Sequence, residues 1–193
     1  MWHIRMGMGI RGSTNSRTAE QPNYERGKVK GLDLYTSVGH LLAERGLTLA
    51  LAESCTGGLI SHRITMVPGS SAYFLGGVVS YANSAKEHIL GVDHGALKAQ
   101  GAVSAAVAEQ MADGVRERFG ADIGISVTGI AGPDGGSPEK PVGLVFMGFA
   151  NPRGEVNVRR YKFDGDRLAI KQQTCSAAME WLREYLNEEG GSP

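Results

Sequence analysis

Apolar residues along this chain recur at two spacings, one typical of helices and the other of buried strands. Helical spacing predicts helices over residues 33–45, 58–66, 84–90, 104–119 and 165–186, the fourth with Ser104 as its candidate N-cap. Apolar, β-rich runs predict strands over residues 47–53, 74–81, 122–127, 142–150 and 156–163. Predicted helices and strands alternate along most of the chain, and two consecutive strands follow. This order indicates an α/β fold. We expect a three-layer α/β/α sandwich with a mixed, mostly parallel sheet.

Residues 1–30 lack either spacing. They are rich in Gly, Ser, Asn and Arg, and they contain no apolar core of the kind that a signal peptide needs. We therefore expect a disordered leader over residues 1–30 and a single folded domain over residues 31–188.

The charge balance argues against a polyanionic partner. The 193 residues contain 20 Lys and Arg and 20 Asp and Glu, and no long basic run. Binding to nucleic acid or to a membrane surface is therefore not expected, and a small molecule is the favoured partner. No apolar run reaches the roughly 18 residues that span a bilayer, so we expect a cytoplasmic protein.

The thiols and imidazoles do not suggest a metal site. Cys55 and Cys175 are not spaced as metal ligands or as a disulfide framework, and the five histidines are scattered. We expect neither a structural metal nor a disulfide.

One segment combines nucleophiles with a strand end. Ser54 and Cys55 follow the first predicted strand, and Gly57 and Gly58 lead into the next predicted helix. Free N–H groups and the positive dipole at a helix start can stabilise an oxyanion or a phosphate. The same sequence also suits an ordinary strand-to-helix turn in which the serine caps the helix.

Two further strand ends carry polar residues. Tyr81 ends the second predicted strand and Lys86 follows it, and Thr128 follows the third. Ligands of open α/β sheets bind at the carboxyl ends of strands, so these residues could converge with Ser54. A neutral lysine or a tyrosine hydroxyl could then accept the serine proton. Taken alone, a residue such as Lys86 is more often a solvated helix charge, and one such as Tyr81 is more often a strand residue with its ring in the core.

The loop after Thr128 is rich in glycine. Gly129, Gly132, Gly135 and Gly136 would let the backbone approach a nucleotide sugar or phosphate, although glycines also form plain surface turns. The loop lacks the Gly-Lys-Ser/Thr ending of a P-loop and the Gly-x-Gly-x-x-Gly fingerprint. Neither ATP nor NAD is expected, and no cofactor is predicted.

An ordered series of short motifs resembles a known family. The segments are Glu-Ser-Cys-Thr-Gly-Gly at 53–58, Pro-Gly-Ser-Ser at 68–71, Tyr-Ala-Asn-Ser-Ala-Lys at 81–86, Gly-Ala-Val-Ser at 101–104, Gly-Ile-Ala-Gly-Pro-Asp-Gly-Gly at 129–136, Lys-Pro-Val-Gly at 140–143 and Phe-Asp-Gly-Asp-Arg at 163–167. Together they closely resemble the C-terminal domain of the competence/damage-inducible CinA proteins. Stand-alone members of that family are nicotinamide mononucleotide amidohydrolases, which release nicotinate mononucleotide and ammonia without a cofactor. The resemblance thus implies this reaction and an α/β/α sandwich, and the family often self-associates, which makes a homo-oligomer an open expectation.

The resemblance also implies roles for individual residues. Ser54 would be the nucleophile and Lys86 the base with Tyr81 as its partner, although the choice of base between these two stays open. The implied substrate-binding residues are Thr56, Gly57, Gly58, Thr128, Gly129, Gly132 and Arg167.

Two alternatives remain at this stage. Arg167 could be a phosphate clamp, or it could form a structural ion pair with Asp134 or Asp166. The whole domain could be a catalytically idle nucleotide-binding or regulatory module linked to DNA uptake or damage response. The complete set of Ser54, Tyr81 and Lys86 favours the amidohydrolase.

Overall fold

The computed structural model describes residues 32–189, so the expected leader over residues 1–30 lies outside the described residues. The helices are α1 (Leu32–Arg45), α2 (Leu59–Thr65), α3 (Asn83–Leu90), α4 (His94–Gln100), α5 (Ala105–Phe119) and α6 (Arg167–Glu189). The strands are β1 (Leu49–Glu53), β2 (Phe74–Val79), β3 (Ile123–Gly129), β4 (Leu144–Ala150) and β5 (Val156–Lys162). One short 3-10 turn, Ser70–Ala72, precedes β2.

The five strands form one sheet in the order β2, β1, β3, β4, β5. Strand β1 pairs in parallel with β2 and β3, whereas β4 pairs antiparallel with β3 and with β5. The sheet is therefore mixed, as expected, with β4 running against the common direction of the other strands.

Helices cover both faces of this sheet. Alternate residues of a strand point to opposite faces. Accordingly, Leu49 and Leu51 of β1 pack in a core with α1, α2 and α6, whereas Ala50 and Ala52 pack in a second core with α3, α4 and α5. All of β1 is buried because neither of its faces meets water. The predicted α/β/α sandwich is confirmed.

Helix α4 was not expected from the sequence. Its seven residues contain a single core side chain, Leu97, so they show no recognisable period. The helix instead begins at a cap, because the Asp93 carboxylate accepts a hydrogen bond from the Ala96 N–H at 2.7 Å. The candidate cap Ser104 behaves as expected at the start of α5, where its hydroxyl accepts from the Val107 N–H at 3.4 Å.

The parallel strands end together at one edge of the sheet. Glu53, the last residue of β1, lies opposite Val79 of β2 and Val127 of β3. Pairing continues one residue further, since the Ser54 N–H donates to the Val127 carbonyl at 3.0 Å and the Ser80 N–H donates to the Glu53 carbonyl at 2.9 Å. The polar residues that follow β1, β2 and β3 are thereby brought to the same place.

None of the helices in the described residues is both long enough and apolar enough to cross a membrane.

We predict that Gly148→Ala destabilises the fold, because glycine lets α5 approach β4 closely. A Cβ at this position would lie 2.8 Å from the Ala108 carbonyl carbon and closer still to its oxygen. Backbone atoms cannot rotate away, so we expect a loss of about 1–3 kcal/mol in unfolding free energy, measured by urea denaturation. A loss below about 0.5 kcal/mol, the range of neutral surface changes, would show that α5 shifts freely.

Candidate active site

The side chains of Ser54 and Lys86 meet at the edge where β1 and β2 end. The Lys86 Nζ donates to Ser54 Oγ at 3.1 Å and to the Ser80 carbonyl at 2.6 Å. Lys86 is only 1% exposed and Ser54 only 8%. The structure thus brings together the two residues that the sequence suggested as nucleophile and base.

Burial changes the protonation of Lys86. Removal of water from around the ammonium group lowers the pKa of Lys86 from its ordinary value of 10.5, and the opposing effect of the Cys55 thiol is smaller. The acceptors that hold the Lys86 Nζ are neutral oxygens. At a given pH, Lys86 is therefore deprotonated in a larger fraction of molecules than an exposed lysine would be. The deprotonated amine is the form that can accept a proton.

Cys55 differs from its neighbour. Its side chain belongs to the core beside α2 and α6, and burial raises the pKa of the Cys55 thiol to about 12, with Glu53 adding to the effect. Near neutral pH the group is a thiol, a much weaker nucleophile than a thiolate. Of the two adjacent candidates, Ser54 is the one with a base in contact.

The carboxylate of Glu53 organises the turn that carries Ser54. Its Oε2 accepts from the Thr56 hydroxyl at 2.6 Å and from the N–H groups of Gly58 and Ile60 at 3.0 and 3.1 Å. Its Oε1 accepts from the Ser61 N–H at 2.8 Å and the Ser61 hydroxyl at 2.7 Å. The protein's own carboxylate therefore occupies the N–H groups of Gly58, Ile60 and Ser61 at the start of α2.

Three of the expected substrate-binding residues lie in this turn, and their contact with substrate stays a prediction. Thr56 is fully buried and its hydroxyl is bound to Glu53. Gly57 and Gly58 do not line the cavity beside Ser54; they have φ angles of 63° and 91°, a left-handed conformation that glycine adopts without strain. All three residues shape the turn between β1 and α2.

A pocket of about 210 Å³ opens beside Ser54. Its walls are formed by Ser54, Cys55, Tyr81, Lys86, Ala102, Val103, Thr128, Gly129, Ala131 and Arg167. The sequence-based site residues Thr128, Gly129 and Arg167 are therefore where they were expected. Ala102, Val103 and Ala131 were not singled out, although each belongs to a segment that carried the family resemblance.

Two hydrogen-bonding side chains hold the wall formed by Ala102 and Val103. The Thr128 hydroxyl donates to the Ala102 carbonyl at 2.8 Å. The Lys140 ammonium donates to the Val103 carbonyl at 2.8 Å and also to the Gln100 carbonyl. Lys140 is a positioning residue that the sequence analysis missed, and its only signal was its place in the Lys-Pro-Val-Gly segment.

Tyr81 and Arg167 bind each other at the mouth of the pocket. Arg167 Nη2 donates to the Tyr81 hydroxyl at 3.2 Å, and Nη1 donates to the Gly132 carbonyl at 2.9 Å. Tyr81 is 64% exposed and offers Lys86 only its backbone carbonyl, at 3.5 Å. The expected partnership between the tyrosine hydroxyl and Lys86 is therefore not formed.

The same contacts involve two other residues named from the sequence, Gly132 and Arg167. The Gly132 carbonyl accepts from Arg167, and Gly132 is not among the residues that line the pocket, so its contact with substrate stays a prediction. Within residues 32–189 Arg167 forms no ion pair with Asp134 or with Asp166, whose carboxylate accepts from the Ala169 N–H at the start of α6.

Comparison with known proteins identifies the family. The model of the CinA C-terminal domain matches residues 32–186, and this chain belongs to that family. CinA-like proteins of Citrifermentans bemidjiense and Geobacter sulfurreducens are 57% and 56% identical to it, over 76% and 78% of the chain. The matches cover 35% and 36% of those relatives, so the chain spans little more than a third of their length.

Solved structures agree with this membership. The competence/damage inducible protein CihA from Agrobacterium tumefaciens has a TM-score of 0.78 and 42% identity, covering 81% of this chain and 94% of its own. A CinA superfamily protein from Klebsiella pneumoniae has a TM-score of 0.79 and 35% identity, covering 81% and 98%. The fold and family are thus shared with structures that consist almost entirely of this domain.

We predict that Glu53→Gln weakens both the fold and the site. The amide has the same shape but no charge, and one of its ends is a donor that cannot accept from the Ser61 or Ile60 N–H. We expect a loss of about 2–4 kcal/mol in unfolding free energy, because the variant leaves buried donors unsatisfied.

Glu44→Gln provides the matched control, since Glu44 is exposed on α1. Thermal and urea unfolding of both variants measure the difference. Equal stabilities would mean that the carboxylate does not hold the turn.

Proposed function

We propose that this domain is an amidohydrolase that converts nicotinamide mononucleotide to nicotinate mononucleotide and ammonia. The observation that carries the proposal is the buried Lys86 amine, 3.1 Å from the Ser54 hydroxyl at the wall of a pocket. Membership of the CinA C-terminal domain family supports it, because the family resemblance implies this substrate. The names of the relatives refer to competence and damage and not to a reaction.

The first half of the proposed reaction forms an ester. The neutral Lys86 amine accepts the Ser54 proton while Oγ attacks the carboxamide carbon. The Lys86 ammonium formed by this transfer lies beside Oγ, and we assign to it the electrostatic stabilisation of the developing oxyanion. When the C–N bond breaks, the Lys86 ammonium returns its proton to the departing ammonia.

The second half releases the acid. Lys86, neutral again, accepts a proton from a water molecule that attacks the ester carbon. Collapse of the second tetrahedral intermediate breaks the bond to Oγ, which takes the proton back from Lys86. The cycle consumes one water molecule and needs no cofactor.

The size of the pocket suggests how a nucleotide would lie in it. At about 210 Å³ the pocket is smaller than the roughly 300–1,000 Å³ of sites that enclose whole ligands. We therefore place the pyridine ring against Ala102, Val103 and Gly129, with the ribose phosphate directed past Arg167 towards the surface. The Tyr81 ring at the mouth would limit the entry of water.

A second candidate function is a nucleotide-binding module that performs no chemistry and acts in competence or damage response. The names of the relatives favour this alternative. Incubation of the purified protein with nicotinamide mononucleotide, with ammonia measured as product, separates the two candidates. Binding without ammonia release would support the module.

We predict that Ser54→Ala abolishes turnover, whereas Cys55→Ala retains most of it. Loss of the nucleophile should lower kcat at least about a thousandfold, because only binding and oxyanion contacts remain. The thiol, with its pKa raised to about 12 by burial, has no catalytic part. Steady-state ammonia release measures both variants, and circular dichroism checks that each is folded. An inactive Cys55 variant beside an active Ser54 variant would reverse the assignment.

We predict that kcat rises with pH through the pKa of Lys86, which lies below 10.5 because burial lowers it. The amine is active only when deprotonated, so activity is lost as the pH falls through this pKa. Lys86→Arg keeps the charge but cannot deprotonate, and it should bind the mononucleotide without turning it over. Near-normal turnover by this variant would leave Lys86 as an electrostatic contact and make water or Tyr81 the base.

A further inference from the structure

A positive charge without a partner lies next to the site. Lys171 is half-buried on α6, and within residues 32–189 it forms no ion pair and no hydrogen bond. It follows Arg167 by four residues, the spacing that places two side chains on the same face of a helix. Arg167 lines the pocket, so this face of α6 is turned towards the site.

The ammonium group of Lys171 reaches the turn that carries the nucleophile. A Cβ placed on Gly57 would lie 3.7 Å from the Lys171 Nζ, so the missing side chain leaves room directly beside the charge. The same charge is close enough to Cys55 to act against the rise in the pKa of that thiol. Lys171 therefore approaches the turn from the side of α6, whereas Lys86 approaches Ser54 from α3.

The acidic groups nearby already have partners. The Glu53 carboxylate accepts from the Thr56 hydroxyl and from the start of α2. Asp166 caps α6 through the Ala169 N–H, and Asp164 pairs with Lys162 at 3.1 Å. No carboxylate in the described part of the chain neutralises Lys171.

Arg167 retains donors for a ligand. Its contacts with the Gly132 carbonyl and the Tyr81 hydroxyl are made by Nη1 and Nη2, and a guanidinium has five N–H donors. Both of its present acceptors are neutral, so the charge of Arg167 is not compensated either. Two cations one helical turn apart repel each other, and an anion between them removes that repulsion.

We propose that Lys171, together with Arg167, binds the dianionic phosphate of the substrate in the space beside Gly57. The inference rests on the amidohydrolase function proposed above and makes the site selective for a nucleotide over the corresponding nucleoside. Lys171 is then the main phosphate contact. Arg167 contributes to it while its Nη1 also holds the Gly132 carbonyl. Gly57 then borders the phosphate and not the pyridine ring.

The test compares two substrates on two proteins. Wild type and Lys171→Gln are assayed with nicotinamide mononucleotide and with nicotinamide riboside, which lacks the phosphate. Lys171→Gln should lower kcat/KM for the mononucleotide by about 10- to 100-fold, the range of a hydrogen bond to a charged group, mainly through KM. This loss should exceed the loss on the riboside at least tenfold.

Two control variants test whether the effect depends on the positive charge and on its position. Lys171→Arg keeps the positive charge and should retain most of the preference for the mononucleotide. Lys98→Gln removes a lysine exposed on α4, away from the pocket, and should match wild type on both substrates. Equal losses on both substrates in Lys171→Gln would overturn the phosphate contact.

A binding measurement separates this inference from the proposed reaction. Calorimetric titration compares the Ser54→Ala variant with the double variant Ser54→Ala/Lys171→Gln. The double variant should bind the mononucleotide more weakly, and the affinity for the riboside should change much less. If wild type releases no ammonia but this pattern holds, the phosphate contact stands and the amidohydrolase fails. If wild type is active and Lys171→Gln keeps the full preference, the phosphate contact fails and the reaction stands.

Discussion

The proposed chemistry depends on an amine that folding removes from water. Lys86 is 1% exposed, and its Nζ is held by Ser54 Oγ and the Ser80 carbonyl. Burial disfavours the charged form, which lowers the pKa of Lys86 from 10.5. The unfolded chain holds this proton more tightly than the folded chain does. Lys86 therefore makes the unfolding free energy rise with pH between the folded pKa and 10.5, and below that window the penalty is fully present.

A second buried ionisable group, the carboxylate of Glu53, occupies the N-terminus of α2. Helix N-termini commonly bind phosphate, but at α2 the N–H groups of Gly58, Ile60 and Ser61 donate to Glu53. This interaction fixes the turn after β1 and so fixes Ser54 opposite Lys86. It also occupies the donors at which an anion commonly binds, which is why we propose the cations of α6, Arg167 and Lys171, for the phosphate.

The sequence predicted the parts of the site that follow from strand ends and failed where the direction of a side chain decided the contact. Ser54 and Lys86 converge because β1 and β2 are parallel neighbours, as the apolar pattern implied. The spacing could not show that the Tyr81 hydroxyl turns outward to Arg167. Nor could it show that Thr56 faces Glu53, because a hydroxyl suits a ligand contact and a structural bond equally well.

The pocket is built within this one domain. Its lining comes from the end of β1, the end of β3 and the loop after it, the turn before α3, α3 itself, the segment between α4 and α5, and the first residue of α6. All of these lie within the residues that match the family model. The relatives are nearly three times as long as the part they share with this chain. The proposed nucleophile Ser54, the proposed base Lys86 and the candidate phosphate contact Lys171 all belong to the shared part.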